Sequence, residues 1–124
     1  IPQINKELTG HADGMVRFVD RNTILGSSRD DEYIYWTDKI NKVIKEKSLS
    51  YFDVPFFGDC IYVNYLEVGD LIVLPVSEEK GNKDADTVTL FKHIFPERVI
   101  ETINYNKIAK EGGLLNCTTW TVKE

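Results

Sequence analysis

Three things are scarce in this chain, and each shortage closes off a class of function. Cys60 and Cys117 are its two cysteines. They are too few for a disulfide framework, and no Cys/His pair has zinc-ligand spacing. A single bridge between them is conceivable, but a reducing compartment, the cytoplasm, is the simpler expectation. Basic charge is outweighed, 15 Lys and Arg against 20 Asp and Glu, so there is no electrostatic footprint for nucleic acid or an anionic membrane. No apolar run nears the roughly 20 residues that span a bilayer. The first residues, Ile1-Pro2-Gln3-Ile4, show neither an initiator Met nor a charged-then-apolar leader. Translation is therefore expected to begin elsewhere, with processing, truncation or an internal fragment as the explanation.

What is present is a soluble-type pattern of short strands and two amphipathic helices in 124 residues, the size of one domain or a piece of one. After a lead-in with Pro2, Met15–Val19 and Thr23–Leu25 read as two strands joined by the turn residues Asp20-Arg21-Asn22. Tyr33, Trp36, Ile40, Val43 and Ile44 recur at helical spacing, with Asp30 or Asp31 placed to cap and lysines in the last turns. Tyr51–Val54 follows as a strand and stops at Pro55. The order then repeats. Cys60–Leu66 and Leu71–Leu74 are strands about a Val68-Gly69-Asp70 turn, and Ser77–Lys83 is a loop. A helix runs over about Asp84–Phe95 with the stripe Val88, Phe91, Ile94 and Phe95, and Arg98–Ile103 is the strand after it. A helical turn near Asn106–Lys110 leads to Leu114–Val122, whose Thr, Trp and Leu content predicts a last strand.

The chain thus reads β-β-α-β twice with a period of about 48 residues, one repeat over about 11–55 and a second over about 60–124. Units of this size bury their apolar faces against neighbours. Leu71–Leu74 reads as buried on both faces. Further units, a partner chain or self-association are therefore expected to cover the remaining edges.

The chemistry-bearing residues gather at the two ends. Gly10-His11-Ala12-Asp13-Gly14 sets an imidazole and a carboxylate two apart between glycines. Glu111-Gly112-Gly113-Leu114-Leu115-Asn116-Cys117-Thr118-Thr119-Trp120 runs a glycine pair into a cysteine. Thiol, imidazole and carboxylate are the parts of nucleophilic catalysis. A papain-like order fits poorly, because there the cysteine precedes the histidine. A buried strand cysteine is more often packing than chemistry, which is how Cys60 reads. His93 reads as a partner of its helix's C-terminal dipole. Arg17 reads as structural, Asn64 as bonding a loop in preference to substrate, and Lys39, Lys42, Lys45 and Lys47 as a solvated face.

Gly10-His11-Ala12-Asp13-Gly14-Met15-Val16-Arg17-Phe18-Val19 resembles the G-H-x-D-x-x-x-R-F-V block of the agmatine deiminase and bacterial-type peptidylarginine deiminase family. The Gly112-Gly113-to-Cys117 stretch resembles that family's G-G-x-x-x-C block, and Tyr62–Leu66 and Leu71–Pro75 look like its middle blocks. The resemblance implies an α/β fold of pentein-like ββαβ repeats, about two of the five units of a propeller. It also implies hydrolysis of a guanidinium group to a ureido product and ammonia, as in putrescine biosynthesis from agmatine. By motif match Cys117 is the nucleophile, His11 the proton shuttle and Asp13 the carboxylate that pairs with the guanidinium. Gly112 and Gly113 let the backbone approach the substrate. The implied partner is a small cationic guanidine or an arginine-containing peptide, without metal or organic cofactor, in a homo-oligomer or an association with the missing N-terminal portion.

Two departures stand out. The family's N-terminal W-x-R-D-type block has no counterpart here, so the chain looks like the C-terminal two-fifths of an enzyme. Asn116 replaces the His that many relatives carry before the cysteine, which bears on the substrate more than on the chemistry. The rival reading is a catalytically incomplete piece that binds guanidinium compounds or completes an assembly.

Overall fold

The computed structural model describes residues 15–27, 34–120 and 122, and for 34–37 the backbone alone. His11, Asp13 and the capping residues Asp30 and Asp31 lie outside the described residues.

In chain order the elements are β1 (Val16–Phe18), β2 (Thr23–Ser27), α1 (Ile34–Glu46), β3 (Ser50–Val54), β4 (Phe56–Phe57), β5 (Cys60–Ile61), β6 (Leu66–Val68), β7 (Leu71–Val76), α2 (Asp84–Ile94), β8 (Val99–Asn104), α3 (Asn106–Lys110) and α4 (Leu115–Thr118). The chain is α/β. Its two three-stranded sheets have the same topology. β1 pairs antiparallel with β2, and α1 crosses over so that β3 returns parallel to β2. β6, β7, α2 and β8 do the same, with Leu71 opposite Val99 and Val76 opposite Asn104. A hairpin closes within a few residues, whereas a parallel partner requires a crossover, and the helix is that crossover. β4 and β5 form a separate two-stranded ribbon between the units.

The two units share their main core. Leu25 and Val54 of the first sheet pack with Cys60, Tyr62, Val63, Tyr65, Ile72, Leu74, Phe91 and Phe95. A smaller cluster of Met15, Val16, Ile24 and Ile40 lies under α1. Val43, expected on the buried stripe of α1, is instead exposed.

Two predicted strands are not as expected. Cys60–Leu66 is not one strand: pairing ends at Ile61, a turn over residues 62–64 follows, and β6 begins at Leu66. Tyr62, Val63, Asn64 and Tyr65 are all buried, and a run buried at every position cannot be a half-exposed strand, whose side chains alternate between faces. The turn is closed by the Asn64 N–H donating to the Ile61 carbonyl at 3.0 Å. The described part of Leu114–Val122 is not a strand either, since residues 115–118 make the single helical turn α4. Leu114 and Leu115 are both buried. Thr118 and Thr119 donate their hydroxyls to the carbonyls of Leu114 and Leu115, four residues back, at 3.0 and 2.7 Å. Such back-bonding holds a turn that threonine's strand preference alone would disfavour.

In the other direction, β7 runs two residues further than expected and includes Pro75. The proline lies beyond Val73, the last residue paired with β6, so the ladder on that flank does not need its missing N–H.

Gly26 shows how closely the first sheet is packed. A Cβ built there would lie 2.1 Å from Tyr51 Oη and 2.5 Å from its Cε2. Tyr51 is half-buried and hydrogen-bonded to Asp53, which holds its ring where the methyl would go. Gly26→Ala is expected to lower stability by about 1–3 kcal/mol, the usual cost of overpacking. A fall in the urea unfolding midpoint at unchanged slope is the check.

Candidate active site

Cys117 sits on α4, which lies against β7, and its side chain is exposed while Cys60 is buried. The turn is gripped from the side by Asn64. Asn64 is 2% exposed. Its Oδ1 accepts the Asn116 backbone N–H at 3.0 Å, and its Nδ2 donates to Cys117 Sγ at 3.4 Å. A second contact, Asn116 N–H toward the Asn64 carbonyl at 3.4 Å, reinforces the first. One buried amide therefore fixes both the backbone before the cysteine and the sulfur itself, across 53 residues of sequence. An N–H aimed at sulfur fixes the direction in which the side chain is presented.

The other side of α4 is tied to α3. Tyr105 Oη and Thr118 Oγ1 are 2.7 Å apart. Asn106 Nδ2 donates to the Ser77 carbonyl, and Asn104 Nδ2 to Glu78 Oε2 at 2.9 Å. Behind these, Asp84 at the start of α2 accepts the N–H groups of Ser77 and Glu78 at 3.0 and 2.7 Å, and the Tyr62 hydroxyl at 2.5 Å. Burial first and the Asp84 hydrogen bond next raise the Tyr62 phenol, which keeps it a neutral donor. The turn carrying Cys117 thus rests on a braced scaffold.

Of the glycine pair, Gly112 has φ +90°, and among the described residues nothing lies within 4 Å of where a Cβ would stand. That is the left-handed region where glycine is at home. Gly113 is in ordinary contact range of Thr118 and Ile108. The two cysteines differ in kind: Cys60 donates toward the Pro75 carbonyl at 3.5 Å, and burial pushes its thiol up to about 12. His93, in the last turn of α2, stands edge-on to Phe52 at 6.3 Å between ring centroids. Arg17 binds Tyr65 and Glu67. His11 and Asp13, the expected partners of Cys117, lie outside the described residues. Among the described residues no group of three or more His, Cys, Asp or Glu is placed to hold a metal ion. No helix among them is long and apolar enough to cross a membrane.

The family model described as Porphyromonas-type peptidyl-arginine deiminase matches residues 3–122. The chain belongs to that family. Solved structures agree in fold. C. jejuni agmatine deiminase superimposes with a TM-score of 0.74 at 19% identity, over 93% of this chain and 38% of that one. The agmatine deiminase of Enterococcus faecalis gives 0.72 at 17% identity, over 87% and 39%. A Porphyromonas gingivalis protein assigned as an arginine deiminase gives 0.70 at 23% identity, over 87% and 37%. The chain therefore spans less than two-fifths of the length of each. No curated protein matches it. Within this deiminase-family chain, Asn64 is the residue whose part the sequence pattern left undefined. It was legible as a loop-binding asparagine, but nothing local says that the loop is the one carrying Cys117.

Proposed function

We propose that this chain supplies the nucleophile-bearing part of a guanidine deiminase, which hydrolyses a guanidinium group to a ureido product and ammonia. The observation that carries the reading is the buried Asn64 side chain holding an exposed cysteine by its sulfur and by the preceding backbone N–H. Cys60, by contrast, is buried within the core, where its thiol faces no solvent.

In this reading Cys117 attacks the guanidinium carbon as thiolate, forming a tetrahedral adduct. Collapse of the adduct breaks a C–N bond, and His11 gives the departing nitrogen its proton, so that ammonia leaves and an amidino-cysteine remains. His11 then takes a proton from water, which adds to the same carbon. Release of the sulfur regenerates the thiolate and frees the ureido product. Asp13 pairs bidentately with the planar guanidinium, and the glycine backbone at Gly112 and Gly113 lets the substrate approach. No cofactor enters. Agmatine is the first substrate expected, with peptidyl-arginine and free arginine next, in a cytoplasmic setting.

The pentein arrangement of five units also belongs to this proposal, with the chain as its C-terminal portion and the repeats dividing near residues 55–60. Phe18, Val68, Val99 and Trp120 are exposed, as expected of faces that the rest of a longer protein, or another copy, covers.

The test compares labelling of Cys117 by chloroacetamidine, an amidinium with a displaceable halide, with labelling by neutral iodoacetamide. Peptide mapping reads each cysteine separately. Faster labelling by the cation, suppressed by agmatine or a blocked arginine peptide, with concurrent ammonia release from either compound, is the expected result. Protection without ammonia release would favour the guanidinium-binding alternative. No preference for the cation would overturn both.

A further inference from the structure

The Asn64 grip on Cys117 is only as firm as the segment that carries Asn64, and that segment has an anchor in the other unit. Tyr65, the next residue, is fully buried, with its ring edge-on to Phe91 at 5.0 Å and to Phe95 at 6.1 Å between centroids. Its hydroxyl is buried with no hydrogen-bond partner among the described residues. The side chain therefore packs as an apolar ring, and its own oxygen does not hold it in place. The polar anchor is Arg17 of β1. The Arg17 guanidinium carbon lies 3.8 Å from the centroid of the Tyr65 ring, and its Nη1 donates to the Tyr65 carbonyl. Its Nη2 lies 3.8 Å from Glu67 Oε2. Glu67 is in turn bonded by Arg98, so the carboxylate that orients Arg17 is itself fixed. A planar guanidinium can stack on a ring and donate in its own plane at once, and an ammonium cannot.

β1 and β6 belong to different sheets, so this contact joins the two units immediately beside Asn64. Arg17 also follows His11 by six residues and Asp13 by four. We infer that Arg17 is a positioning residue, acting through Tyr65 and Asn64 to hold Cys117 in its reactive placement. The inference rests on the reading of Cys117 as the nucleophile, and it gives the arginine of the H-x-D-x-x-x-R stretch a function in the site beyond joining two units.

The test is a double-substitution cycle read by the rate of Cys117 alkylation with iodoacetamide, mapped by peptide. The four proteins are the unaltered chain, Arg17→Met, Asn64→Ala and the pair. Arg17→Met is expected to slow alkylation by about threefold or more when Asn64 is present, and to leave it nearly unchanged when Asn64 is already alanine, as expected of coupled neighbours. An equal slowing in both backgrounds, or none in either, overturns the inference. If Arg17→Met does not fold, Arg17→Lys takes its place. It keeps the charge while losing the stacked, two-point contact, and the same non-additivity is expected with a smaller slowing. Because alkylation needs no guanidine substrate, this cycle stands apart from the deiminase reading, which fails separately if the unaltered protein neither prefers the amidinium reagent nor releases ammonia.

Discussion

Replacing Cys117 by alanine is expected to reduce ammonia release by about 10⁴-fold or more, the scale on which removing a covalent nucleophile acts. In the proposed mechanism every later step depends on the bond that this sulfur makes. The fold should scarcely notice. Cys117 is exposed, and a surface substitution that leaves the Asn116 N–H bonded to Asn64 costs within about 0.5 kcal/mol. Cys60→Ala should give the opposite pair of results. That sulfur is 3% exposed and lies inside the core shared by the two units, so its loss lowers the thermal midpoint and leaves turnover in place. Ammonia release and thermal unfolding, measured on both variants, check the assignment. Turnover that survives Cys117→Ala would end the covalent mechanism proposed here.

Asn64→Ala carries the second largest effect, and it acts on stability and activity together. The substitution leaves the Asn116 N–H without its best acceptor and Cys117 without the donor aimed at its sulfur. Losing a buried hydrogen-bonding side chain costs about 1–3 kcal/mol. Losing one donor that steadies developing or fixed negative charge at an active centre costs about 10²-fold in rate. Asn64→Asp separates the two roles. The carboxylate still accepts from Asn116, but once ionised it offers the sulfur no N–H and repels the thiolate. Turnover should therefore fall at least as far as in Asn64→Ala, with the stability loss reporting how much the turn depends on the acceptor. Chemical denaturation and steady-state ammonia release on the two variants provide the reading. Unchanged turnover in both would remove Asn64 from the site.

Much of the architecture can be traced to local pattern. The apolar runs that became β2 and β7 begin at Thr23 and Leu71, 48 residues apart, and each is followed by a helix whose apolar residues recur at helical spacing. Hairpin, crossover helix and parallel return follow from those lengths, because short turns force antiparallel neighbours and a helix of 11 or 13 residues can bring a strand back parallel. The identity of the chemistry was also local. A cysteine behind a glycine pair and an H-x-D stretch are readable as residue types at fixed spacing, and the family match over residues 3–122 places them in a deiminase family.

What local pattern misassigned are the segments whose surroundings outweigh their propensity. Tyr62–Tyr65 looks like a strand by composition, yet it passes through the core between units, where all four side chains are enclosed and alternation has no meaning. Leu114–Val122 carries strand-forming residues, yet Asn64 from one side and Tyr105 from the other bend it into a helical turn.

By itself, then, the amino-acid sequence determined the two ββαβ units, the buried role of Cys60 and the candidacy of Cys117, since each rests on residue types and their spacing along the chain. Tertiary structure alone decided that Asn64 is the residue holding Cys117 and that Arg17 reaches Tyr65. Those contacts join residues 48 to 53 positions apart, and such pairs meet only when two separately patterned units close on a common core.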